Sequence, residues 1–157
     1  MASRVLIVDQ DVGYRQALGL ILETLGHACT AVDHGSAALE HLDHSVCDLV
    51  FIELFNPQME GIEAITMLHA RHPQLSIVAM TGGWRTLLAD ELLGFARELG
   101  ADATLSKPFA PKAIEAALAR IHCHEPILDG AGPLVDAHAP FVTPRGWAQG
   151  SRHRRPL

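Results

Sequence analysis

The sequence predicts an α/β fold in which five strand-helix units build a mostly parallel sheet. Three observations carry this. Five short apolar runs alternate along the chain with stretches of helical period, the pattern of repeated βαβ units. The first run, Val5-Leu6-Ile7-Val8, is unbroken by polar residues, as a central parallel strand buried on both faces requires. Glycine or proline stands where the units change direction, at Gly26, Pro73, Gly100 and Pro111.

Arg4 to Asp9 reads as the first strand, and Val12 to Leu25 as a helix whose Leu18, Ile21, Leu22 and Leu25 form one stripe. Gly26 ends it as a left-handed cap would. His27 to Val32 is a second, weaker strand, and Ser36 to His44 a helix turning Leu39 and Leu42 inward. Asp48 to Ile52 is the third strand. The loop Glu53 to Gly61 then leads to a helix over Ile62 to Arg71, packed through Ile65 and Leu68. Ile77 to Met80 is the fourth strand and Thr81 to Gly83 a turn. Arg85 to Leu99 is a long helix with Leu88, Leu92, Phe95 and Leu99 on its buried side. Gly100 caps it. The last strand, Ala103 to Ser106, passes through Lys107-Pro108 to a helix from Pro111 to Ile121, where proline suits the first turn and Ile114, Leu118 and Ile121 face inward.

With 157 residues, 48% of them apolar, the chain has material for one sizeable core. Residues 1–121 form the expected domain. Residues 122–157 are a quarter proline plus glycine without period, the composition of a disordered tail. The formal net charge of −6 and the 5% aromatic content argue against a basic, ring-lined nucleic-acid surface. The acidity resides in residues 1–121, since the tail sets four arginines against Glu125, Asp129 and Asp136. No apolar run approaches the roughly 18 residues that span a bilayer, and no signal-peptide pattern precedes the first strand, so the expected location is cytoplasmic, without membrane contact. Cys29, Cys47 and Cys123 are odd in number and form no CxxC pair, which argues against a disulfide framework or zinc knuckle and leaves Cys29 and Cys47 as small core residues.

In an open parallel sheet ligands bind beyond the carboxyl ends of the strands. There the sequence places Asp9, Gln10 and Asp11 after the first strand, Glu53 after the third, Thr81 after the fourth and Lys107 after the fifth. Singly, each has a plain structural use as a helix cap, a turn residue or a solvated cation. Their coincidence at matching topological positions marks a site.

The segments RVLIVDQD, DLVFIELFNPQMEG, IVAMTGG and GADATLSKPF, in this order and strand context, resemble those of the response regulator receiver domain of two-component signalling. The resemblance spans residues 3–121. It implies a doubly wound, flavodoxin-like sheet in strand order 2-1-3-4-5 with helices on both faces, and a cis Lys107-Pro108 bond. It also implies a magnesium-binding acidic pocket and a phospho-accepting aspartate. Moving a phosphoryl group onto a carboxylate crowds negative charge, so such a pocket needs a divalent cation, a lysine and a hydroxyl to neutralise and orient it.

Three residues depart from that machinery. Glu53 stands where the family has its phospho-accepting aspartate, and its extra methylene carries the carboxylate ~1.5 Å outward; a misplacement near 1 Å costs about 100-fold in a positioned reaction. Gln10 replaces a family magnesium ligand, leaving Asp9, Asp11 and Glu53 to hold the ion weakly. Thr104 occupies the position of the aromatic switch residue, and threonine cannot fill or vacate a ring-sized pocket. A longer Glu53 carboxylate is expected to reach Lys107 and form a standing ion pair.

The reading is therefore a non-enzymatic, stand-alone receiver acting through protein contacts with a histidine kinase or downstream signalling protein. The last strand and its flanking helices, with Leu87, Leu93, Ala116 and Ala119 as outer residues, offer a possible homodimer face. The alternatives are a conventional magnesium-dependent phospho-accepting switch, and an unrelated nucleotide or flavin binder, which lacks GxGxxG. His122-Cys123-His124 and the His41/His44 pair read as solvated rather than metal-binding.

Overall fold

The computed structural model describes residues 2–55, 61–82 and 88–123. Strands β1 (Arg4–Val8), β2 (Ala28–Val32), β3 (Leu49–Glu53), β4 (Ser76–Thr81) and β5 (Ala103–Ser106) alternate with helices α1 (Val12–Thr24), α2 (Gly35–His44), α3 (Gly61–Arg71), α4 (Ala89–Glu98) and α5 (Pro111–His122). The strands form one sheet in the order β2-β1-β3-β4-β5, with all four pairings parallel. This is the doubly wound arrangement the sequence implies.

Period-two alternation sorts the strand side chains into two cores. Val5, Ile7, Leu49, Phe51, Val78 and Met80 pack with Leu18 and Leu22 of α1 and Ile114 and Leu118 of α5. On the other face, Leu6, Val8, Val50, Ile52 and Ile77 meet Leu39 and Leu42 of α2, Ile65 and Leu68 of α3, and Leu92 and Leu93 of α4. Cys29 and Cys47 are part-buried at the margins of these cores, where burial raises both thiols above their ordinary range.

Gly26 and Gly100 take positive φ angles of 90° and 113°, as their capping role demands. At Gly100 the close approach matters too, since a Cβ there would lie 3.1 Å from the His69 ring.

Three expectations are corrected. Helix α4 begins at Ala89 rather than Arg85, because Leu88 has extended backbone angles and donates its N–H to the Glu91 carboxylate at 3.1 Å. The face it buries is accordingly Leu92, Leu93 and Ala96, leaving Leu88 69% and Phe95 46% exposed. Leu93, expected outside, is core; Leu87 lies outside the described residues. Leu25 is also exposed, because it is the C-cap of α1 and the last turn carries it past the stripe. The tail expected over 122–157 is described only at His122 and Cys123, both exposed.

Buried His27 ties the amino terminus to the fold by accepting the Ser3 N–H at Nδ1, 3.1 Å away. Desolvation, and then the nearby positive charge of His122 and the amino terminus, hold its imidazole below the ordinary value of 6.5. The unfolded chain therefore takes up this proton first as pH falls, and stability drops below about pH 6.5 toward the lower folded value. Thermal midpoints measured from about pH 7 to 5 should show a shallower acid-side decline in His27→Gln than in the wild type.

Candidate functional site

The carboxyl ends of β1, β3, β4 and β5 converge on one 260 Å³ cavity, lined by Asp9, Gln10, Asp11, Glu53 and Lys107 together with Tyr14, Phe55 and Gly82. Asp9 follows β1 and is 1% exposed; Glu53 is the last residue of β3 and is 7% exposed. Lys107 follows β5, positioned by its N–H donating to the Thr81 carbonyl at 2.8 Å and followed by a cis bond to Pro108. Thr81, fully buried, closes β4 behind the cavity wall.

The centre of the site is an ammonium held by two carboxylates. Lys107 Nζ lies 2.5 Å from Asp9 Oδ2 and 2.5 Å from Glu53 Oε2. The side chain is only 10% exposed, so these charge-assisted contacts are weakly screened. Desolvation pulls the Lys107 ammonium down, but the hydrogen bonds and charges of Asp9 and Glu53 outweigh it and raise the lysine above its usual range. The pair expected between Glu53 and Lys107 is present, with Asp9 as a second partner.

Neighbouring backbone fixes the remaining carboxylate oxygens. Asp9 Oδ1 accepts the Asp11 N–H at 2.9 Å, and Glu53 Oε1 accepts the Phe55 N–H at 3.4 Å. Asp11 is exposed and serves as the N-cap of α1, accepting the Tyr14 N–H at 3.0 Å. Gln10 is exposed. No group of three His, Cys, Asp or Glu side chains among the described residues is arranged to hold a metal ion. Thr104 lies apart on β5, where its hydroxyl accepts a hydrogen bond from the Arg97 guanidinium of α4.

Three participants went unanticipated. The Tyr14 ring covers Lys107, its centroid 4.2 Å from Nζ, and packs on Phe109 at 5.7 Å between centroids. Arg15 donates to the Asp9 carbonyl at 2.6 Å. In a chain so poor in rings, aromatics one turn after Asp9-Asp11 and two residues after Lys107 were the available signal. Tyr14→Ala should cost about 1–2 kcal/mol through the lost cation–π contact and ring packing, while Tyr14→Phe stays near neutral; urea unfolding separates the two outcomes.

A family model described as the response regulator receiver domain matches residues 5–119. The chain belongs to the response regulator receiver family. It is 34% identical over 120 residues to the response regulator protein FleR of Pseudomonas aeruginosa, covering 76% of this chain and 24% of FleR. It is 33% identical over 151 residues to the DNA-binding response regulator MtrA of Mycobacterium tuberculosis, covering 93% of this chain and 64% of MtrA. The chain thus spans less than two thirds of the length of these relatives. Among solved structures, the chemotaxis response regulator CheY4 of Vibrio cholerae superposes with a TM-score of 0.68 at 24% identity, over 77% of this chain and 99% of CheY4. NtrX of Brucella abortus gives 0.71 at 25% identity, over 78% of this chain and 27% of NtrX.

The receiver assignment places the chain in two-component signalling. Since MtrA is described as DNA-binding, the expectation of no nucleic-acid partner finds no support among the relatives. No helix among the described residues is long and apolar enough to cross a membrane.

Proposed function

We propose that this receiver signals through protein contacts with its pocket held in one state, independently of phosphorylation. The observation that carries this reading is the double ion pair of Lys107 with Asp9 and Glu53. An ammonium already neutralised by two carboxylates is not poised to meet an incoming phosphoryl oxygen. Glu53, at the position the family gives its phospho-accepting aspartate, is aimed at that lysine and sits inside the contact distance that an in-line reaction would have to open.

The donor set also fits magnesium poorly. Asp9 gives one oxygen to Lys107 and the other to the Asp11 N–H, Glu53 gives one to Lys107, and Asp11 caps α1. A divalent ion would have to displace the lysine, so we infer at most weak binding through Asp9, Asp11 and Glu53, with Gln10 supplying no charge. At Thr104 the partner is the Arg97 guanidinium, which ties β5 to α4 where an aromatic switch residue would move. Thr81 keeps a positioning role through its carbonyl.

The proposed function involves no catalytic turnover. Its partners are a histidine kinase or a downstream signalling protein, with self-association through β5 and the exposed Phe95, Ala116 and Ala119 of the flanking helices as a further route. The test is intact mass after incubation with magnesium and acetyl phosphate. The reading expects an unmodified chain; stoichiometric phosphorylation at Glu53 restores the conventional switch.

A further inference from the structure

At the opposite, amino-terminal end of β4 and β5 lies a second and larger cavity of 550 Å³. Three helices deliver cationic or ionisable side chains to its wall: His69 from α3, Arg97 from α4 and Arg120 from α5. Among the described residues neither arginine has a carboxylate within ion-pair distance, whereas Arg4 pairs with Asp48 and Lys107 with Asp9 and Glu53. The hydrogen bond from Arg97 goes to the neutral Thr104 hydroxyl, on the wall of a neighbouring cavity that Arg97 and Arg120 also line. The one acid on the wall, Asp102, is engaged by the Ile77 N–H, which donates to Oδ2 at 2.7 Å.

Two arginines thus line this concave space with a single carboxylate, one oxygen of which is taken by the Ile77 N–H, so the wall carries a net positive charge in a chain of net charge −6. Guanidinium forks suit tetrahedral oxyanions. Pro73 and Leu75 supply an apolar wall, and the volume falls in the range of small-molecule sites rather than of a bare ion. Gly100 shapes the floor: its missing Cβ lets the His69 ring approach to 3.1 Å of that position, so the imidazole stays seated against the backbone.

We propose that this cavity binds a small organic phosphate, its phosphoryl group on Arg97 and Arg120 and its organic part against Pro73 and Leu75. The site is separate from the Lys107 pocket and stands whether or not that pocket is phosphorylated. The probes are AMP, ADP and inorganic phosphate, titrated into the full chain at constant ionic strength and followed by amide NMR. AMP or ADP should give saturable shifts at His69, Gly100 and Asp102, with inorganic phosphate weaker. Arg120→Gln should weaken binding about 10-fold, the loss of one charge-assisted contact. Lys112→Gln, which removes an equal charge from the first turn of the same helix, should leave affinity within about 2-fold if charge placement rather than total charge decides binding. The absence of saturable shifts, an Arg120→Gln chain that binds as well as wild type, or equal losses in both variants would overturn the site.

Discussion

Lys107→Met should destabilise the protein by about 3–5 kcal/mol, the cost of removing one partner from a buried charge cluster and leaving its counter-charges uncompensated. Asp9 and Glu53 would then face each other with no cation between them, each within the former reach of the ammonium. Urea denaturation at neutral pH measures the loss. Glu53→Gln should cost far less, about 1 kcal/mol, because Asp9 still pairs with Lys107. The lysine also sets the alkaline limit. Its folded pKa lies above the ordinary 10.5, so the stabilisation is complete below that value and is lost as pH climbs through the higher folded one. Lys107→Met should lack this alkaline component of the stability profile.

The second large effect is expected at Gly61. A Cβ there would lie 2.2 Å from the Glu53 carbonyl oxygen and 2.6 Å from Leu54 Cα. Both are backbone atoms at the end of the strand that presents Glu53 and just beyond it, and the Gly61 N–H donates to the Leu54 carbonyl at 2.7 Å. Nothing flexible can yield, so Gly61→Ala should cost about 3 kcal/mol, at the upper end for overpacking, and should displace the Glu53 carboxylate from Lys107. Gly94→Ala is the natural comparison. A Cβ at Gly94, within α4, meets no atom inside 4 Å, and the change should raise stability by up to about 1 kcal/mol. Thermal unfolding of the two variants should therefore move in opposite directions.

What the sequence made legible follows from local chemistry. Unbroken apolar runs mark strands buried on both faces, and Gly26, Gly100 and Pro111 mark helix ends by backbone conformations few other residues favour. From those ends the topology alone brings residues 9, 53 and 107 together, and the reach of a glutamate side chain then suggests its ion pair with Lys107. The start of α4 was illegible because the leucines at 87 and 88 continue an apolar pattern past the true cap; extended backbone at Leu88 and the Glu91 contact, not hydrophobic period, decide where that helix begins. The second carboxylate on Lys107 and the Tyr14 ring over it were equally hidden. Those contacts depend on side-chain directions across residues distant in the chain, which spacing does not encode.

The pinned lysine is tested most directly by the amide NMR spectrum of the protein before and after addition of magnesium and beryllofluoride, a mimic of the phosphoryl group. The account predicts a spectrum that stays essentially unchanged at Lys107, Thr81 and along β5. Saturable shifts spreading from Glu53 through Thr81 to Thr104 would mean that the ammonium leaves its two carboxylates for the mimic, and that the pocket works as a phosphorylation switch.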